Sequence, residues 1–318
     1  MAKLLRVLDL GKINLGDVFP SEIGMLVQLA FLAIEGYMTD IPPSIGNLSN
    51  LETLILNQLR YGKALSLPGT FWNLQKLRHL SIGTPGCSFS MENQATSPDL
   101  CELDKLSDVA IPCPGDMDGL MKKFPRVRKL KCNLLVSPKE TGDYIKVVVP
   151  ESLSQLESLG ISQFLTGGIY KPRKFEFSLP AKLKKLSLAF MDLCGRSLST
   201  ISKFPNLEVL KFTWVSFEGS TWEMEEGELS KLRFLKLSSP GLLSWSAAED
   251  QFECLEKLKL LDCTFLEELP SCLENIPTLA VIQVVNCSKT AVELVKNIKE
   301  IQEDNGNSEL EIITSWFG

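Results

Sequence analysis

The chain has 318 residues, of which 44% are hydrophobic and 23% are charged, and its formal net charge is −6. This composition is typical of a soluble, mildly acidic protein. No apolar run reaches the roughly 18 residues that a membrane-spanning helix needs, which argues against stable membrane insertion.

A short pattern, L-x-x-L-x-L, recurs along the chain and is clearest at Leu255, Leu258 and Leu260. Because Leu258 and Leu260 alternate with Lys257 and Lys259, a strand here buries the leucines and exposes the lysines. About twelve copies begin between positions 5 and 279, a mean spacing of roughly 25 residues. In chain order they are 5/8/10, 29/32/34, 51/54/56, 77/80/82, 106/109/111, 127/130/132, 156/159/161, 183/186/188, 207/210/212, 232/235/237, 255/258/260 and 279/282/284.

A repeat of this length with this frame is typical of leucine-rich repeats. We therefore predict an α/β solenoid, a leucine-rich-repeat horseshoe of about twelve repeats with a parallel concave sheet and an irregular or short-helical convex side. The solenoid is expected over residues 1–288 and a C-terminal cap over 289–318. The first repeat begins at Leu5 with no polar cap ahead of it, which predicts that a domain or further repeats precede it in a longer protein.

Most segments between the predicted strands are short. Four begin with an apolar residue followed by proline: Phe19–Gly24, Ile41–Gly46, Leu67–Phe71 and Leu269–Leu273. Proline fixes φ and lacks an N–H donor, so each predicts a short helical turn on the convex side. Shorter versions, Phe124–Val127 and Phe204–Leu207, lead directly into a strand.

Three return segments are long, at 83–105, 133–155 and 162–182. They contain Met91–Ala95, Ser137–Asp143 and Thr166–Pro172, which are rich in polar and turn-forming residues. Long loops in a compact scaffold are often functional. The alternative is padding on the convex side, and the sequence leaves both interpretations open.

The C-terminal residues predict a helix followed by a strand. Thr290–Glu293 fits a capping box, in which Thr and Glu satisfy two N–H groups at a helix start. A helical apolar stripe follows at Val292, Leu294, Val295, Ile298 and Ile301. Asn305-Gly306 is expected to end this helix, and Leu310–Ile313 to add a last strand.

Residues for catalysis or metal binding are scarce, which predicts that the chain is not an enzyme and holds no cofactor or metal. His79 is the sole histidine and is expected at an exposed strand position. No C-x-x-C pair, H-E-x-x-H motif or phosphate-binding loop occurs. The acidic run Glu223–Glu228 lacks the alternating ligands of a calcium loop and is interpreted as a solvated loop.

The nine cysteines are scattered, and the paired terminal cysteines expected of extracellular repeat proteins are missing. Cys132, Cys263 and Cys287 lie at or beside buried repeat positions, where cysteine is a small apolar filler. The start Met1–Leu4 leads almost at once into the first repeat, so we expect no signal peptide. These features predict a reducing, cytoplasmic setting.

The charge on the predicted concave face is uneven. From the sixth to the eleventh repeat, its outward positions carry ten basic and three acidic residues, a net charge of +7 that leaves −13 on the rest of the chain. The basic residues, here called the basic strip, are Arg128, Lys129, Lys131, Lys184, Lys185, Lys211, Arg233, Lys236, Lys257 and Lys259. The first five repeats show no such bias.

Neighbouring parallel strands lie about 4.8 Å apart, so these cations crowd one another at a cost that an acidic partner would relieve. An acidic protein surface is the favoured partner. Nucleic acid is disfavoured because aromatic stacking residues are sparse on this face, where Phe234 stands nearly alone. The alternative is that the lysines and arginines keep a broad sheet soluble.

Three stretches near the end, Trp222–Leu237, Ser244–Leu255 and Leu269–Leu279, resemble the last repeats of plant nucleotide-binding leucine-rich-repeat immune receptors. The most similar group is the coiled-coil class of the nightshade family, of the late blight resistance type. Leu4–Leu10 resembles the stretch that opens their repeat domain. The resemblance covers essentially the whole chain.

Receptors of this family carry a coiled-coil domain and a nucleotide-binding switch domain before the repeats, and neither is in this sequence. The resemblance implies that the repeats hold the switch domain inactive and sense a pathogen effector, directly or through a guarded host protein. It also implies a cytoplasmic receptor, with nuclear or peripheral-membrane placement left open. In the family the restraining surface lies toward the first repeats, whereas the basic strip lies in the middle and later ones.

Two other classes of leucine-rich-repeat protein are also compatible with the sequence. A stand-alone scaffold, or the substrate adaptor of a ubiquitin ligase, would need a recruiting motif, and none is recognised. An extracellular receptor ectodomain would be supported by glycan on Asn47, which begins one of two glycosylation sequons.

Overall fold

A computed structural model describes residues 4–60, 63–83, 89–91, 96, 98–113, 117–136, 144–165, 174–224, 229–249 and 251–316. The chain divides into two compact units. The first unit comprises residues 1–141 with 149–170, and the second comprises residues 142–148 with 171–318.

Short parallel strands dominate the described residues. In chain order they are β1 Val7–Asn14, β2 Phe31–Gly36, β3 Thr53–Gln58, β4 Leu65–Leu67, β5 His79–Gly83, β6 Phe89–Met91, β7 Lys105–Cys113, β8 Lys129–Val136, β9 Tyr144–Val148, β10 Ser158–Leu165, β11 Lys174–Ser178, β12 Lys185–Ala189, β13 Asp192–Leu193, β14 Val209–Thr213, β15 Ser216–Phe217, β16 Thr221–Glu223, β17 Phe234–Ser238, β18 Ser244–Ser246, β19 Lys257–Leu261, β20 Val281–Val285 and β21 Glu311–Ser315.

Helices are few and mostly short. The α-helices are α1 Met117–Met121, α2 Gly195–Ser202 and α3 Lys289–Asp304. Single 3-10 turns occupy Ser21–Met25, Pro43–Asn47, Gly69–Asn73, Glu151–Leu153, Glu218–Ser220 and Ser271–Asn275. Among the described residues, no helix combines the length and apolar composition that crossing a membrane requires.

Each unit is built on one set of parallel strands, one from each repeat, and β21 after α3 adds a last strand to the second set. In the first unit the order is β1-β2-β3-β5-β7-β8-β10, and in the second it is β12-β14-β17-β19-β20-β21. Smaller parallel sheets form in the segments that return from one main strand to the next, here called the return side. They are β4-β6 in the first unit, and β15-β13-β11-β9 and β16-β18 in the second. This architecture confirms the predicted leucine-rich-repeat solenoid.

The repeat frame places the core, because its apolar residues face inward from every strand. Leu255, Leu258 and Leu260 are fully buried, and the register sets Leu258 opposite Leu235 and Ile282. The first repeat differs, since Leu5 is exposed and Leu8 and Leu10 are partly exposed.

The fifth predicted frame is wrong in register. It was placed at 106/109/111, but Leu106 pairs with Leu130 and therefore holds the second apolar position, with buried Leu103 in the first. A β-bulge between Leu106 and Val109 inserts one extra residue, and Asp108 adopts a positive φ of 61° there. Sequence spacing alone cannot reveal a bulge, because the apolar pattern on both sides stays regular.

The four proline-led returns are confirmed as short helical turns. Each of their 3-10 turns follows a proline in extended conformation, at Pro20, Pro42, Pro68 and Pro270. The long returns are described only in part. Met91 ends β6. Residues 92–95, 137–143 and 166–172 of the three long returns, and residues 225–228 of the acidic run, lie outside the described residues.

The C-terminal helix and strand are confirmed as α3 and β21, and Asn305 ends the helix before Gly306 at φ 95°. The predicted capping box is wrong. The cap is Ser288, whose side chain accepts a hydrogen bond from the Ala291 N–H at 2.9 Å, and Thr290 lies exposed inside the helix. Ser288 also donates to the Leu266 carbonyl at 2.5 Å, a tertiary contact that the local sequence does not reveal.

Candidate protein-interaction surface

The basic strip falls into two groups, which belong to different units. Arg128, Lys129 and Lys131 lie at and within the start of β8 in the first unit and are exposed. The other seven lie on or beside β12, β14, β17 and β19 in the second unit: Lys184, Lys185, Lys211, Arg233, Lys236, Lys257 and Lys259.

The three cations of the first unit all have carboxylate partners from the neighbouring repeat. Asp104 lies 2.5 Å from Arg128 and 3.8 Å from Lys129, and Asp108 lies 2.7 Å from Lys131. The hydrogen bond to Asp104, followed by its charge, raises the pKa of Arg128. This group is therefore largely neutralised within the chain.

The β7 bulge explains why the sequence pattern did not place Asp104 beside Arg128. In the frame predicted at 106/109/111, Asp104 falls outside the repeat. In the observed register, Lys105 pairs with Lys129, so Asp104 directly precedes β7 beside Arg128. The bulge also turns Asp108 so that its carboxylate accepts from both Ser81, at 2.8 Å, and Lys131.

In the second unit, Lys211, Lys236 and Lys259 occupy one register position on the adjacent strands β14, β17 and β19. We call these three residues the lysine row. Parallel strands lie about 4.8 Å apart, so the lysines are stacked as immediate neighbours. Within the described part of the chain, no carboxylate lies within ion-pairing distance of any of the three.

The contacts that the lysine row does make are to neutral groups. Lys236 Nζ donates to the Thr213 hydroxyl at 3.2 Å. Lys211 Nζ lies 5.4 Å from the ring centroid of Phe234, within cation–π range. Partial burial lowers the pKa of Lys236, and the charges of Lys211 and Lys259 lower it further, against an opposing effect of Asp262. The row therefore holds its positive charge at an energetic cost.

The remaining cations of the second unit surround this row. Arg233 donates from two of its nitrogens to Glu256, and this hydrogen bond raises the pKa of Arg233. Lys185 on β12 and Lys257 on β19 lie two residues before the register position of the lysine row. At that earlier position the two strands between them, β14 and β17, carry Val209 and Phe234. What sets the lysine row apart from these cations is that its three lysines share one register position on three consecutive strands.

A cleft of about 400 Å³ opens in the first unit and includes His79. It is lined by Glu52, Thr53, Arg78, His79, Cys101, Glu102, Asp104, Arg126 and Arg128. His79 is exposed, as predicted, and its Nδ1 lies 3.4 Å from the Thr53 hydroxyl. Arg126 and Arg128 pair with Glu102 and Asp104, so the charges of the cleft are mostly balanced.

Among the described residues, no group of three or more His, Cys, Asp or Glu side chains is arranged to hold a metal ion. The acidic run at 223–228 is described only to Met224.

The family model of the leucine-rich repeat region matches residues 2–267. The chain belongs to the leucine-rich repeat family. Two proteins of Solanum demissum are similar to this leucine-rich repeat chain: the late blight resistance protein homologs R1B-23 and R1B-16. The first is 37% identical over 322 residues and the second is 36% identical over 321 residues. Each alignment covers 98% of this chain and 24% of the relative.

These relatives confirm the resemblance drawn from the last repeats, and the leucine-rich repeat chain spans about a quarter of their length. Among solved structures, an internalin of Listeria monocytogenes matches with a TM-score of 0.54 at 16% identity. The match covers 99% of this chain and 87% of the internalin. At this identity the match concerns the fold alone.

Proposed function

We propose that this chain is the protein-interaction domain of a plant intracellular immune receptor and serves as its sensor and autoinhibitory part. The similarity to late blight resistance protein homologs over 98% of the chain supports this assignment. The observation that carries it is the lysine row, because three adjacent strands present lysines that have no carboxylate partner among the described residues.

Crowded lysines favour an acidic partner on electrostatic grounds. Partial burial and neighbouring charges lower the pKa of Lys236, so part of the free energy of binding a carboxylate would come from relieving that repulsion. The cations of the first unit would contribute less binding free energy, because Asp104 and Asp108 already neutralise them. Within the predicted ten-residue strip, we therefore assign the main contact to Lys211, Lys236 and Lys259.

Two partners would compete for this surface in the parent receptor. One is an acidic area of the nucleotide-binding switch domain, bound within the same molecule. The other is a pathogen effector or a guarded host protein. An effector shifts the receptor to its active state only by the difference between its affinities for the inactive and active states. The proposal includes neither a catalytic role nor a cofactor. It places the parent receptor in the cytoplasm.

The test measures binding of this chain to the isolated switch domain of the R1B-23 relative over a series of salt concentrations. We expect binding that weakens steeply as salt rises, because screening shortens the range of charge–charge attraction. The triple variant K211Q/K236Q/K259Q should lose at least about tenfold in affinity. Its matched control, R128Q/K129Q/K131Q, removes the same charge from the paired group and should lose far less.

Equal losses in the two triple variants would contradict the assignment to the lysine row. Binding without salt dependence would contradict an electrostatic contact altogether. In a full-length receptor, charge reversal at Lys184, Lys185, Lys211 and Lys236 should produce activity without an effector, scored as cell death in leaf tissue. Thermal unfolding of each variant checks that the fold is kept.

A further inference from the structure

Phe190 and Trp214 occupy equivalent positions in neighbouring repeats of the second unit. Phe190 directly follows β12 and Trp214 directly follows β14, and each lies two residues after the last buried position of its frame. The Phe190 N–H donates to the Thr213 carbonyl at 3.0 Å, which fixes the two turns side by side. We call this pair the aromatic edge.

The backbone at these positions does not suit aromatic residues. Phe190 has φ 57° and Trp214 has φ 53°, both in the left-handed region. Bulky side chains are outliers there, whereas Asn and Asp tolerate it. The equivalent turns after β19 and β20 have Asp262 and Asn286 at φ 54° and 53°. The turn itself therefore favours small polar residues, and the two rings depart from that preference.

Burial does not compensate for this strain. Phe190 and Trp214 are each 53% exposed. Strained backbone retained without packing benefit is characteristic of functional positions. Aromatic residues are also the side chains most often found as binding hot spots.

The aromatic edge adjoins the lysine row. Trp214 directly follows Thr213, whose hydroxyl accepts the hydrogen bond from Lys236 Nζ, and Lys211 lies on the same strand β14. Cations and large apolar surfaces thus meet at one end of β14. A partner that binds here can place carboxylates on the lysines and an apolar side chain on the rings.

We propose that the aromatic edge and the lysine row form one docking surface for an acidic protein segment that carries an aromatic or large aliphatic side chain. This rests on the proposed function and adds the chemical class of the partner. A polyanion such as nucleic acid or an anionic membrane fits less well, because its charge would extend beyond the lysine row to Asp262 and to the rest of a chain of net charge −6, whereas a short acidic segment can place its carboxylates on the lysine row alone.

The experiment selects peptides from a random display library on the immobilised full chain. Enriched peptides should combine Asp or Glu with aromatic or large aliphatic residues. Selection on W214N or F190N should keep the acidic preference and lose the apolar one. Selection on K211Q/K236Q/K259Q should lose the acidic preference. The control F265N alters another aromatic side chain, 62% exposed and outside the left-handed region, and should leave both preferences intact.

A synthetic copy of one enriched peptide then gives affinities for each variant. W214N should weaken binding by about tenfold or more, in the range of an aromatic hot spot. Because asparagine tolerates the left-handed backbone, W214N and F190N should unfold at the same temperature as the original chain or higher. A purely structural role for the rings predicts the opposite, a lower unfolding temperature.

The outcomes separate this inference from the function on which it rests. Acidic peptides without apolar residues would overturn the role of the aromatic edge and leave the lysine row as the contact. An absence of enriched peptides would count against both. Trp214-dependent binding of a single-stranded oligonucleotide, anionic vesicles or a second copy of the chain, without peptide enrichment, would replace the proposed partner.

Discussion

At the scale of residues, neighbours decide what a charge can do. Arg128 and Lys131 have the same charge as Lys211 and Lys259, yet the first two lie against Asp104 and Asp108. A surface cation that already has a carboxylate partner adds little binding free energy to a new contact. A cation surrounded by other cations is stabilised by any carboxylate that approaches it. The charge pattern of the sequence did not distinguish the two groups.

The substitution Lys236→Gln tests the cost of the lysine row. Burial and neighbouring lysines lower the pKa of Lys236 in the folded chain below its unfolded value of about 10.4. Between these two pKa values the folded state binds fewer protons than the unfolded state. The free-energy cost of holding Lys236 charged in the folded state is therefore fully present below the folded pKa and is relieved as pH rises toward the unfolded pKa. The variant should therefore unfold at a higher temperature than the original chain at pH 7, and the difference should shrink toward pH 10.

The matched control is Lys296→Gln on the exposed side of α3, which removes the same charge outside the lysine row and is measured beside Lys236→Gln at each pH. The measurement is thermal unfolding by circular dichroism at several pH values. A stability difference for Lys236→Gln that stays constant over this range would argue against a strained lysine.

At the scale of elements, the N-cap of helix α3 shows how helix ends depend on tertiary contacts. Ser288 satisfies the Ala291 N–H and at the same time bonds the Leu266 carbonyl of the preceding repeat. The buried amide of Gln302 similarly donates to the Leu273 and Ile276 carbonyls, at 2.7 and 3.1 Å. The helix is thus fixed to the last repeat by polar side chains as well as by its apolar stripe.

The substitution Ser288→Ala removes both hydrogen bonds of the cap. Loss of an N-cap costs about 1 kcal/mol, within a range of roughly 0.5–2 kcal/mol. Chemical denaturation should show a loss of stability of this size or somewhat more. Thr290→Ala, at the cap predicted from sequence, should stay within about 0.5 kcal/mol of the original chain. The reverse order of the two effects would restore the capping box at Thr290–Glu293.

At the scale of the whole molecule, aromatic rings pack against one another beneath the smaller sheets of the second unit. Trp222 and Trp245 stack at 5.2 Å with an interplanar angle of 9°, and Phe217 stacks on Trp222 at 5.6 Å. These tryptophans lie on β16 and β18, within the stretches that resemble the receptor family. Their presence in those stretches is explained by packing, while the exposed Trp214 has no packing role of this kind.

Cysteine burial gives a test that samples both units. The seven cysteines with described side chains are thiols, and Cys101 and Cys254 are exposed. The buried ones are Cys132, Cys194, Cys263, Cys272 and Cys287. Iodoacetamide followed by peptide mass spectrometry should modify Cys101 and Cys254 quickly and the buried five only after denaturant is added, because alkylation needs an accessible thiolate.

Cys263 should be among the slowest to react. Its thiol bonds the Leu237 carbonyl and its pKa is raised by contact with Cys287 and by burial, so little thiolate forms. Rapid modification of Cys263 in the native chain would contradict the packing of these two repeats. Rapid modification of Cys101 alone among the exposed pair would contradict the placement of Cys254.

The repeat architecture follows from the amino-acid sequence alone, because a frame repeated about every 25 residues dictates which side chains each strand must bury. The proline-led turns and the helix and strand at the end also follow from the sequence, since their signals are local. Tertiary structure decided the register at the β7 bulge, the helix cap at Ser288 and the partners of each cation, because these depend on residues from a neighbouring repeat. The left-handed backbone at Phe190 and Trp214 was also visible only in the tertiary structure, because aromatic residues give no local signal for it.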